Sequence, residues 1–132
     1  MKPRPHRPLA PALAIALSTM PSAAAAQDAP IGYGCGDLVA IGRARSLDYT
    51  PVDSEDDMLG HGWITAKLKI RKVLRGHAAA PTVPVRYFAH ADLRGDRDFL
   101  FVIAKDEAGR NVVRTARPIE DAVDQRLAAR CG

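Results

Sequence analysis

The chain has no apolar run long enough to cross a bilayer, no internal repeat and only two cysteines among its 132 residues. Each absence excludes a class. The one early apolar stretch, Leu9 to Met20, is broken by Pro11 and falls short of the roughly 20 residues that a membrane helix needs. No Gly-x-Ser-x-Gly occurs, so Ser46 and Ser54 lack the setting of a strained nucleophile turn. Gly32, Gly34 and Gly36 alternate but precede a strand pattern instead of a helix, which removes a phosphate-cradling loop. His61, His77 and His90 have no helical or hairpin ligand spacing, and zinc needs three or four ligands that converge. No metal or other cofactor is expected.

Charge of one sign is also scarce once the N-terminus is set aside. Lys2, Arg4 and Arg7 precede the apolar stretch, and Pro21-Ser-Ala-Ala-Ala-Ala26 follows it with small residues. This is the layout of a secretory signal peptide over residues 1–26, with the cut expected after Ala26. Three of the 19 basic residues would leave with it and none of the 15 acidic ones, so 16 face 15 in the remainder, a net charge of about +1. The high isoelectric point therefore comes largely from the targeting segment, and whole-molecule charge is no argument for nucleic acid or an anionic membrane. A periplasmic or secreted location is expected, with no transmembrane helix in the mature protein. In an oxidising compartment Cys35 and Cys131 most simply pair with each other; two unlinked thiols are the alternative.

What is present is mainly strand pattern. Residues 27–34 are expected to be a flexible lead-in. The segment from Asp37 to Leu47 is a first strand, with Gly42 marking a bulge or sharp coil. Residues 49–60 form a long polar loop that contains Asp53, Glu55, Asp56 and Asp57. This acidic group suggests calcium, but Met58 stands where a standard calcium loop has glycine, and a solvated loop fits it better. The clearest element follows at residues 61–76. Ile64, Ala66, Leu68 and Ile70 alternate with Thr65, Lys67, Lys69 and Arg71, which predicts a strand with one dry face and one cationic face. The alternation breaks at Lys72, Val73 and Leu74, and Gly76 ends it.

A third strand runs through Val83, Val85, Tyr87 and Ala89, with Pro84 placing that part at an edge or a strand start. Residues 99–104, Phe-Leu-Phe-Val-Ile-Ala, are apolar without interruption and predict a strand buried on both faces. Residues 105–111 are a hairpin loop and 112–117 a fifth strand. From Pro118 the period changes: Ile119, Ala122, Val123 and Leu127 share a helical face, while Glu120, Asp121 and Asp124 suit a helix start. A C-terminal helix is expected there.

Five strands and a helix in about 100 residues predict a mainly β protein, a small five-stranded OB-like Greek-key barrel with a C-terminal helix over residues 35–132. Cys35-Gly-Asp-Leu-Val-Ala-Ile-Gly-Arg43, then Ile70-Arg-Lys-Val-Leu-Arg-Gly76, then Gly95-Asp-Arg-Asp-Phe-Leu-Phe-Val-Ile103, resembles the netrin-like domain. That group includes the tissue inhibitors of metalloproteinases and small bacterial secreted relatives. The resemblance implies an OB barrel with a helix, cross-linked by disulfides. It does not extend to the inhibitors' mechanism, in which an N-terminal cysteine supplies its amine and carbonyl to the protease zinc. Here about eight residues precede Cys35 after the expected cut, and Asp37 stands where a second cysteine would be.

Trp63, Lys67, Lys69, Arg71, Arg86 and Phe88 are the candidate binding residues, because basic side chains interleaved with aromatics on such a barrel suit single strands or oligosaccharides. Export argues against nucleic acid and leaves an envelope protein or an anionic glycan. A solvated face balanced by the acidic loop is the plainer reading of the same charges. The functional expectation is a non-catalytic binding or interaction module of the cell envelope. A small periplasmic hydrolase with an unrecognised site, or a structural accessory of an envelope assembly, are the alternatives. N-terminal sequencing of the exported protein should begin at Gln27; a start at Cys35 would restore the amine that zinc inhibition requires.

Overall fold

The alternation of Ile64, Ala66 and Leu68 with charged neighbours becomes one wall of a closed β-barrel. The computed structural model describes residues 1–3, 5, 29–119 and 126–131, and the expected signal peptide lies almost wholly outside them. The described strands are β1 (Ile31–Tyr33), β2 (Leu38–Pro51), β3 (Gly62–Arg75), β4 (Thr82–Ala89), β5 (Phe99–Lys105), β6 (Asn111–Pro118) and β7 (Leu127–Ala129). The barrel order is β2-β3-β4-β6-β5, with β5 closing onto β2. All its seams are antiparallel except β4–β6, which is parallel and has a single registered pair, Arg86 with Val112.

Inside the barrel Leu38, Ala40 and Ala44 of β2 meet Ile64, Ala66 and Leu68 of β3, Val83, Val85 and Tyr87 of β4, and Phe99, Phe101 and Ile103 of β5. Residues two apart on a strand share a face, so the inward set of β5 leaves Leu100 and Val102 pointing outward. They are nonetheless almost fully buried. A second, smaller core forms there from Ile31, Val39, Leu100 and Val102, with Tyr33, Leu74 and Leu127 packed against it. The cover is a two-stranded parallel sheet in which Ile31, Gly32 and Tyr33 pair with Leu127, Ala128 and Ala129. Next to it Cys35 and Cys131 are disulfide-bonded, with Cα atoms 5.2 Å apart. The bridge is compatible with an oxidising, exported location.

Bulges curl the long strands. Register slips leave Arg71 and Leu74 as extra residues on β3 and Leu47 on β2, and such insertions bend a strand and sharpen its twist. The break in alternation at residues 72–74 is the footprint of the first two. Gly42 sits at one slip, where an added Cβ would overlap the Lys69 carbonyl oxygen. Gly76, at φ 78°, ends β3 with room for no side chain, since a Cβ would stand 2.5 Å from the Asp37 carbonyl oxygen. Pro84 lies where β4 parts from β6, and Asn111 Nδ2 donates to its carbonyl at 2.9 Å.

Three expectations change. The stretch 27–34 is not all lead-in: Ile31–Tyr33 is β1, held because Ile31 fills the second core. The first strand continues past Leu47 to Pro51, because the bulge at Leu47 lets Tyr49, Thr50 and Pro51 stay paired with Ile64, Trp63 and Gly62. No helix occurs among the described residues. Glu120, Asp121, Ala122, Val123 and Asp124 lie outside them, and Leu127, expected on the helical face, is in strand β7. Pairing with β1 and burial of Leu127 outweigh a weak local preference there. Likewise no described helix is long and apolar enough to cross a membrane.

Leu100→Ala should cost about 2–5 kcal/mol in denaturant unfolding, as a buried leucine does; a strand buried on one face alone would lose far less. Replacing Cys35 and Cys131 by serine should remove about 4–5 kcal/mol, the chain-entropy value for a loop of this length. Lys67→Glu with Lys69→Glu should not lower the melting temperature, because both side chains are exposed and each glutamate would face an arginine of β2.

Candidate functional site

The register of β3 against β4 pairs Gly62 with Ala89, Trp63 with Phe88 and Thr65 with Arg86. On the outer face this sets aromatic and cationic side chains beside one another. The Arg86 guanidinium carbon lies 3.7 Å from the Trp63 ring centroid, a diagonal cross-strand contact in cation–π geometry. Trp63 meets Phe88 edge-on, with centroids 5.4 Å apart, and Phe88 stacks on His61 at 5.6 Å. His61 in turn meets His90 edge-on at 5.1 Å. Aromatic pairs of this kind contribute about 0.5–1.5 kcal/mol each beyond their burial. Phe88 is half exposed, so the cluster opens to solvent. Arg86 Nε is buried without a hydrogen-bond acceptor, and the guanidinium has no acidic partner among the described residues.

The loop after β2 holds one end of this cluster. Asp57 accepts from the backbone N–H groups of Leu59, Gly60 and His61, and its carboxylate oxygens lie 2.9 Å from His61 Nδ1. Tyr49 adds a hydrogen bond from its hydroxyl to the Gly60 carbonyl at 2.6 Å. The Asp57 carboxyl is held below the usual range, chiefly by its side-chain bond to His61. One of the four loop acids is thus occupied in folding the loop, and no group of three or more metal-ligating side chains converges among the described residues.

Further along the face the rings give way to cationic side chains around one carboxylate. Lys67 stands opposite Arg45, and Lys69 opposite Arg43, across the β2–β3 seam. Arg43 donates to Asp98 at 2.7 Å, and Arg71 donates to the other oxygen of the same carboxylate. That carboxyl is held low, first by the Arg43 hydrogen bond. Beyond Arg86 on the other side, the short β4–β6 seam leaves a groove of about 540 Å³ reaching Lys105, Arg110 and Asn111.

The six expected binding residues therefore divide. Trp63, Arg86 and Phe88 form one cluster, Lys67 and Lys69 extend from it as exposed cations without ion pairs among the described residues, and Arg71 lies at the far end bound to Asp98. Sequence spacing missed His61 with His90, and also Arg43 and Arg45. The signal for all four is the pairing register: the positions of His61 and His90 oppose each other one step beyond the Gly62–Ala89 pair. No protein-family model, curated protein or solved structure matches the chain.

Asp57 has a lowered folded pKa, so its contribution to the loop is complete above the unfolded carboxylate value near 3.9. It is lost as pH falls through the depressed folded value. In an acid titration followed by the Gly60 and His61 amide resonances, the wild-type loop should open only in that acid window. Asp57→Asn should abolish this step and loosen the loop at neutral pH.

Proposed function

We propose that the protein is an exported, non-catalytic binding module of the cell envelope, periplasmic or secreted. Its ligand face is the outer surface of β3 and β4 with the 52–61 loop. The observation that carries this reading is the Arg86 guanidinium, stacked on Trp63, beside half-exposed Phe88 and without an acidic partner among the described residues. A ring platform with an unneutralised cation on it suits a ligand that offers both a flat face and negative charge, such as an anionic glycan. The acidic surface of an envelope protein would satisfy the cations but make less use of the rings.

Strand order supports an OB-like barrel. After three consecutive strands β2, β3 and β4, β5 returns beside β2, the Greek-key arrangement. OB barrels bind oligonucleotides and oligosaccharides on their second and third strands and in the loops after the first and fourth. The counterparts here are β3, β4, the 52–61 loop and the hairpin turn at 106–110. Kinship with the netrin-like domain is part of the same proposal, as is removal of residues 1–26 on export.

A hydrolase is the second reading, and one observation favours it: Asp57, His61 and His90 are brought together. No hydroxyl or thiol bonds to His61 among the described residues, however, and Ser46 pairs with the Tyr87 hydroxyl at 3.1 Å instead. A base with no hydroxyl or thiol beside it among the described residues is a weaker basis than a formed ring platform.

Trp63 is the only tryptophan, so its emission reports on this face. Heparin, a sulfated glycan, should change that emission saturably, and added NaCl should weaken the effect. Neutral dextran should not act. Arg86→Gln should weaken heparin binding about ten-fold or more, the loss of a charged hydrogen bond. Unchanged Trp63 emission, with no retention on immobilised heparin at low salt, would defeat the proposal.

A further inference from the structure

The wall formed by β2 and β3 holds more positive charge than its fold needs. Arg45 and Lys67 face each other across the seam, as do Arg43 and Lys69, and like charges set directly opposite each other on a sheet are destabilising. Arg71 adds a fifth cation at the neighbouring bulge. The only acid bonded to any of them among the described residues is Asp98. Arg45, Lys67 and Lys69 have no ion pair there. Among the described residues Arg43, Lys69 and Arg71 line a concavity of about 240 Å³, and Asp98 binds the first and last of them at its edge.

We infer that this concavity is an oxyanion subsite, one that takes a sulfate or phosphate group carried by the anionic glycan of the reading above, on which the inference rests. Asp98 shows how the site works. Its two oxygens each take a guanidinium, one from Arg43 and one from Arg71, so the two arginines already converge on a single anionic group. Lys69 faces the same space with its charge unanswered. A tetrahedral oxyanion has more oxygens than a carboxylate and can accept from Lys69 while sharing the guanidinium donors. Binding would also relieve the repulsion between Lys69 and Arg43. The six residue steps from Trp63 to Lys69 span about 20 Å of strand, so a ligand using both the rings and this subsite is an oligomer and not a single sugar.

Thermal unfolding in sodium phosphate and in sodium sulfate, against NaCl of equal ionic strength, tests the subsite. Both anions stabilise proteins in general by exclusion, so the readout is the difference between wild type and Lys69→Gln. The wild type should gain on the order of 5 °C over the variant with anion at about ten times its Kd, and saturably. Arg114→Gln, which removes a distant exposed charge, should keep the gain. In NaCl alone Lys69→Gln should be no less stable than wild type, because it removes a repulsion. Equal gains in wild type and Lys69→Gln would overturn the subsite. If the gain is specific while heparin leaves Trp63 emission unchanged, the subsite stands and the glycan reading falls. If heparin acts on Trp63 and phosphate and sulfate show no Lys69-dependent gain, the glycan reading stands and the subsite falls.

Discussion

Two-sided burial of β5 is the constraint on which the rest of the structure depends. Phe99, Phe101 and Ile103 fill the barrel, and Leu100 and Val102 on the opposite face must also leave water. At roughly 25 cal/mol per Å² of apolar surface, two exposed aliphatic side chains in a small domain would be a serious loss. The cover comes from the two ends of the domain, β1 and β7, which pair with each other and are held by the Cys35–Cys131 bridge. This arrangement commits one wall of the barrel to structure. The opposite wall, β3 and β4, is left without a cover among the described elements, and the aromatic cluster sits there.

β2 joins the two regimes. Its first residues, Leu38 to Gly42, are tied to β5, with Val39 under the cover. Its later residues present Arg43 and Arg45 outward beside the lysines of β3. One strand therefore passes from apolar outer surface to cationic outer surface within a few residues. The domain as a whole is nearly neutral if residues 1–26 are removed, so this is an asymmetry of placement and not of composition. The acids Asp53, Glu55 and Asp56 are gathered in the loop after β2.

Much of this was legible because burial imposes a period. The alternation through Ile64, Ala66 and Leu68 named the inward face of β3, and the unbroken run from Phe99 to Ala104 named a strand with no wet side. The disulfide followed from two cysteines near the ends of the domain. Less legible was anything that depends on which residue lies across a seam. His61 and His90 are 29 positions apart, as local spacing counts, yet the β3–β4 hairpin puts their rings together. Arg43 and Arg45 looked like ordinary strand residues until β2 was aligned with β3. Leu127 fitted a helical stripe with Ile119 and Val123, but four apolar residues cannot distinguish a helix from a chain that ends in a strand. The partner strand β1 lay in a stretch that local composition marked as lead-in.

The disulfide that seals the second core also sets the path of mechanical tension. Cys35 and Cys131 are 96 positions apart in sequence but adjacent in space. A pull on the chain before β1 and after Cys131 runs through the covalent bond, and the barrel between them lies off that path. A domain pulled at both ends would keep the outer face of β3 and β4 undistorted under stretch. Its ring platform would hold the same geometry whether the chain is slack or taut.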